Sequence, residues 1–140
     1  MEIKKAMKKL PIFSLPYPST DIANGTSYRN EGGDLLLSMD FYENNNKHTV
    51  NLRFVKERAF RGRSEIYCTT WHIDDVYDTV CEVQGSKWVK ELLSDCASGW
   101  EDEWVMRHFM IYIDSFGCIE VVAESVEMDH IESKIQSEHD

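Results

Sequence analysis

The sequence is poor in the features that announce chemistry. Its four cysteines, Cys68, Cys81, Cys96 and Cys118, form no Cys-x-x-Cys pair, so neither a zinc ribbon nor a thioredoxin-like redox motif is signalled. No G-x-x-x-x-G-K-[ST] or G-x-G-x-x-G occurs, which leaves no glycine-rich cradle for phosphate. No stretch approaches the roughly 18 consecutive apolar residues of a membrane span. The basic start (Lys4, Lys5, Lys8, Lys9) runs into Pro11, Pro16 and Pro18, not into an apolar segment, so no signal peptide is read. Positive charge is also scarce: 15 Lys and Arg face 25 Asp and Glu, a formal net charge of −10. Such a chain repels nucleic acid and anionic membrane surfaces, and a basic protein or peptide is its natural electrostatic partner. Four unpaired thiols and no leader give the cytoplasm as the expected location.

What is present is material for a core. The chain has 140 residues, 42% of them hydrophobic, with four Trp, six Tyr and six Phe. A domain of that length buries about two thirds of its unfolded surface and needs no metal or disulfide to do so. Residues 1–33 read as a loosely structured lead-in, with turn signals at Asn24-Gly25 and Gly32-Gly33. Residues 34–128 read as one α+β domain, and 129–140 as an acidic tail. Leu35, Leu37, Met39 and Phe41 alternate with Leu36, Ser38, Asp40 and Tyr42, and Val50, Leu52 and Phe54 share one face after the Asn44-Asn45-Asn46 turn; this is a β-hairpin with one apolar face. Arg58–Arg63 reads as a turn around Gly62, and Ser64–Trp71, rich in β-formers, as a third strand. Val76, Val80 and Val83 fit a helical stripe, and Tyr77–Val83 equally fits a fourth strand, which its β-branched content favours. Ser86 is a good N-cap for a helix over residues 86–98, whose stripe is Trp88, Val89, Leu92, Leu93 and Cys96. Val105–Asp114 is apolar on both faces and must be covered on both; it turns at Ser115-Phe116-Gly117 into a return strand. The expectation is α+β: an antiparallel sheet of five to six strands with one main helix packed on one face.

Candidate chemistry is thin. His72 with Asp74 and Asp75 has metal-binding atoms, but adjacent acids do not share a direction on regular structure, and a polar turn after a strand accounts for them. Cys68 and His72, four positions apart on a strand, would be more than about 10 Å from each other. Glu120 and Glu124 with Asp114 could form an acid–base pair of glycosidase type, yet their alternation is that of a solvated strand face. If the chain is an enzyme, its site is assembled from separated residues: His72, His108, Cys118 and Glu120. The one basic cluster, Arg53, Lys56, Arg58, Arg61 and Arg63, is expected to pair with acids of the same chain. No cofactor and no metal are expected.

The charge distribution is more telling. From Glu101 to Asp140 there are eleven acids and two bases, Arg107 and Lys134. Two acidic–aromatic groups stand out: Trp71 with Asp74, Asp75 and Asp78, and Trp100-Glu101-Asp102-Glu103-Trp104. Rings supply contact area and carboxylates steer a basic partner, so these nine residues are the expected partner-binding surface. The stretches Ser64–His72, Tyr77–Val80, Gly85–Val89 and His108–Ala123, with their short Trp-containing motifs, resemble those of small immunity proteins encoded beside bacterial polymorphic toxins, over residues 64–126. The resemblance implies a cytoplasmic, non-enzymatic inhibitor that neutralises a basic toxin by stoichiometric binding.

Overall fold

Alternation of apolar and polar residues builds the first hairpin. In the computed structural model, which describes residues 7–96 and 104–134, β3 (Asp34–Glu43) and β4 (Asn46–Val55) pair in antiparallel register from Leu35↔Phe54 to Glu43↔Asn46. Leu35, Leu37, Met39, Phe41, Val50, Leu52 and Phe54 all point to one face and are buried. Asn44 and Asn45 take left-handed backbone angles in the turn (φ 52° and 64°), which asparagine tolerates better than most side chains. β2 (Ile22–Glu31) and β9 (Ser125–Lys134) flank this hairpin and complete a four-stranded sheet in the order β2-β3-β4-β9.

A second sheet, β1-β6-β7-β8-β5, consists of Lys8–Ser14, Thr79–Gln84, Arg107–Ile113, Gly117–Ala123 and Ala59–Arg63. Its inner face, with Val80, Phe109, Ile111, Ile113, Ile119, Val121 and Ala123, packs against the inner face of the first to form the main core. The Phe54 and Phe109 rings lie 6.1 Å apart across it. The outer face of the five-stranded sheet carries a second buried cluster of Cys81, Val83, Met110, Tyr112 and Cys118, with Trp71 and Ile73 of α1 (Thr70–Ile73) against it. α2 (Lys87–Ser94) joins β6 to β7 and rests on β7. The sheet therefore has cover on both sides, as the two-faced strand β7 requires.

Mostly antiparallel β structure with few helices agrees with the expected class, but the layout differs. The described residues hold nine strands in two sheets, not five or six in one. Residues 8–31, expected to be loose, form β1 and β2. Pro11 fits because β1 is an edge strand, and the register shifts between Pro11 and Phe13. The supposed turn Arg58–Arg63 is edge strand β5. The supposed third strand Ser64–Trp71 is a 3-10 turn (Glu65–Tyr67) followed by α1. α2 ends at Ser94, short of the expected 98, and residues 97–98 lie outside the described ones. β9 continues past residue 128 to Lys134 and absorbs the first part of the expected tail.

Candidate functional site

The first acidic–aromatic group sits on a tightly pinned loop. Asp75 and Asp78 both take positive φ (67° and 54°), and Val76 between them is fully buried. The Val76 carbonyl accepts from the Tyr112 amide (2.7 Å), and the Asp78 amide donates to the Tyr112 carbonyl (2.9 Å). The Leu15 amide donates to the Asp78 carbonyl (2.8 Å), and the Lys9 ammonium donates to the Asp74 carbonyl (2.6 Å) and to that of Trp71. Backbone strain of this kind persists only where the surroundings over-determine it. Asp74 and Asp75 are left exposed. Asp78 is not: one of its oxygens accepts the Ser19 amide (3.0 Å), so its work is structural. Trp71 is half-buried on the outer cluster, with the Lys9 ammonium 4.1 Å from its ring centre.

The second group is not brought to the first. Trp104 is 39% exposed under the Arg58 guanidinium, 4.1 Å from its ring centre, and the Arg58 amide donates to the Val122 carbonyl. That is the end of the sheet where β7 begins, whereas the Asp74–Asp78 loop is tied to Tyr112, where β7 finishes. Trp100, Glu101, Asp102 and Glu103 lie outside the described residues.

A further set of acids and rings gathers at the turn that follows β7. Tyr77 donates to Asp114 (3.1 Å), and Glu65 accepts the Ser115 amide (2.7 Å). Glu65 opens the 3-10 turn that carries Ile66 and Tyr67, 83% and 68% exposed. Burial, then Glu65 and the Cys68 thiol, pushes the Tyr112 hydroxyl up to about 12, and burial with Asp114 pushes Tyr77 up as well. One end of the five-stranded sheet thus presents Glu65 and Asp114 with exposed Ile66, Tyr67 and Tyr77. Read as strand residues, Ile66 and Tyr67 gave no sign of this; their exposure follows from the turn.

The residues expected for an enzyme share the outer face of the same sheet, but only two of them touch. His108 Nε2 donates to Glu120 Oε1 (2.8 Å), and Arg61, opposite Glu120 in register, donates to both of its oxygens (3.0 and 3.3 Å). Ser86, unremarked except as an N-cap, also meets His108: Oγ and Nδ1 are 2.8 Å apart. It caps α2 as expected by accepting the Val89 amide (3.1 Å). Trp88 stands edge-on to His108 at 5.1 Å with the Arg61 guanidinium over its ring. Glu120 was expected on a solvated face and is 5% exposed. Burial alone would raise its carboxyl, but the hydrogen bonds from His108 and Arg61 outweigh that and hold it down to about 2. Cys118 is pushed up to about 12, by burial first and then by Glu120, and stays a thiol. His72 is lowered by burial and then by Arg63, and its Nδ1 accepts from the Thr69 amide (3.0 Å). Among the described residues no group of three or more His, Cys, Asp or Glu could hold a metal ion.

Four of the five residues of the basic cluster pair with acids of the chain, whereas exposed Arg63 donates to the Tyr67 carbonyl (3.4 Å). Arg53 pairs with Asp34 and Glu31, Arg61 with Glu120, and Lys56 and Arg58 with Glu124. Among the described residues no helix is long and apolar enough to cross a membrane. Comparison with known protein families, with curated proteins and with solved structures finds no match.

Proposed function

We propose that the protein is a binding protein of the immunity type, which neutralises a basic toxin by covering it with the acidic, apolar end of the five-stranded sheet. Two observations carry this reading together: the exposed pair Ile66–Tyr67 on the turn that Glu65 opens, and the exposed acids Asp74 and Asp75 on a separate loop whose backbone is held from several sides. Exposed rings and aliphatic chains next to carboxylates supply buried contact area and long-range steering together. A pinned loop has little conformational freedom to lose on binding, so more of the contact energy survives as affinity. The four free cysteines suit a reducing compartment, and the cytoplasm belongs to the same proposal.

Affinity capture from the source organism tests it, with the wild-type chain beside a variant carrying Asp74→Asn, Asp75→Asn, Ile66→Ser and Tyr67→Ser. One basic protein is expected at equal stoichiometry with the wild type, released by raised salt and lost from the variant. Co-expression should then relieve that protein's toxicity. Equal capture by the variant would refute the surface, and a captured partner without toxicity would refute the immunity assignment.

A further inference from the structure

We propose that Ser86, His108 and Glu120 form an acyl-transfer site that hydrolyses esters of small carboxylic acids, distinct from the docking end. The hydrogen-bond pattern fixes the direction of the proton path. An ionised carboxylate only accepts, so His108 carries its proton on Nε2, the nitrogen 2.8 Å from Glu120. In the neutral tautomer Nδ1 is then a lone pair, and it accepts from the hydroxyl 2.8 Å away on Ser86. The Val89 amide occupies another position on Ser86 Oγ (3.1 Å), which leaves the hydroxyl proton for His108. A hydroxyl, a neutral imidazole and a carboxylate in that order are the parts of an activated nucleophile. Here the two imidazole nitrogens exchange places relative to the chymotrypsin arrangement, a change that leaves the chemistry intact.

The three residues come from elements with different tasks. β6 ends at Gln84, and Gly85 (φ 70°) turns the chain to deliver Ser86 to the start of α2. The first-turn amides of Lys87 and Trp88 have no partner within the helix and are the nearest donors in sequence for an oxyanion formed at Ser86. Ser86 and His108 border an open cleft of about 490 Å³, lined also by Val83, Val89, Lys90 and Met106. That size suits a small ligand. The docking end lies about 13 Å away along β7, from His108 to Tyr112.

The step balances without any further reactant but water. Ser86 Oγ attacks the ester carbonyl carbon as its proton passes to His108 Nδ1, and Glu120 stabilises the imidazolium. The carbon–oxygen bond to the alcohol breaks, and the alcohol leaves with the proton from Nδ1. Water then attacks the acyl-serine, gives a proton to Nδ1, and Ser86 Oγ leaves and takes it back. The products are the free acid and the alcohol.

The test is covalent labelling of the full chain with a fluorophosphonate, read by intact mass and peptide mapping, alongside turnover of p-nitrophenyl acetate. One adduct per chain is expected, on Ser86. Ser86→Asn keeps a capping side chain and is expected to lose both adduct and turnover. His108→Gln is expected to lower turnover by about a hundredfold or more. An unlabelled wild-type chain, or an adduct that persists in Ser86→Asn, overturns the proposal, and neither result touches partner capture at the docking end.

Discussion

Glu120 is the residue on which the pH response of this fold should turn. Its carboxylate sits under α2 with 6% of the side chain exposed, held by His108 and Arg61. Its ordinary value of 4.5 falls to about 2 in the folded chain. A lowered folded value means stability that is complete above the unfolded value and is lost as pH falls towards the folded one. The drop corresponds to about 3 kcal/mol, of which about 2 kcal/mol should be gone by pH 3. Glu31 and Asp34 are also lowered, by Arg53 with Arg29 for the first and by the Lys56 amide and Arg53 for the second, so the wild-type curve alone does not isolate Glu120. The comparison with Glu120→Gln does. Urea unfolding at a series of pH values should show the variant about 2–3 kcal/mol less stable at pH 6, with the gap narrowing by about 2 kcal/mol at pH 3. A gap that stays constant between pH 6 and pH 3 would refute the assignment of Glu120 as a buried, ionised acceptor.

Gly117 has φ 116°, and a Cβ there would lie 2.0 Å from the Arg63 carbonyl oxygen. Gly117→Ala should therefore destabilise by at least about 3 kcal/mol, measured as a fall in Tm; an unchanged Tm would contradict the close approach of β8 to the chain after β5. Among the cysteines, Cys81 and Cys118 are buried and Cys68 and Cys96 half-buried. Alkylation of the native protein at pH 8 should modify Cys68 and Cys96 well before the other two, and early modification of Cys118 on peptide mapping would refute its burial and its raised value.

Local signals in the sequence reached as far as local structure. The hairpin of β3 and β4, the cap at Ser86 and the hairpin of β7 and β8 each depend on residues within a few positions, and each was legible. The division into two sheets was not. It depends on pairings such as Lys9↔Val83 and Arg61↔Glu120, between segments that are far apart in the chain. Edge strands are also the hardest to see, because charge and proline serve there to discourage pairing with another chain. β5 is Ala-Phe-Arg-Gly-Arg and β1 contains Pro11, so both looked unlike strands. The opposite error came at Ser64–Trp71, where β-forming side chains sit on a 3-10 turn and a short helix because the chain must cross the outer face of the sheet.

The buried network was half implied by the sequence itself. A strand over Val105–Asp114 with two apolar faces must be covered on both sides, and its hairpin partner shares those faces. Cover over Met110 and Tyr112 extends to the adjacent positions of β8, which are Cys118, Glu120 and Val122. A solvated Glu120 was therefore inconsistent with a two-faced β7, and the sequence already required a buried acid with partners. His108, opposite Val122 in register, is on the same face and close enough to be one of them. Arg61 could not be found this way, since it arrives on a strand about 60 residues earlier. Nor could Ser86: its capping role fully explained its place in the sequence. Only the fold shows that the hydroxyl which starts α2 also ends the proton path from Glu120. The same covering argument separates the two halves of the molecule's surface. Glu120, the one acid on β8, faces the helices and is spent on His108 and Arg61, so the proposed basic partner is left to acids on loops, among them Asp74 and Asp75, whose side chains are exposed.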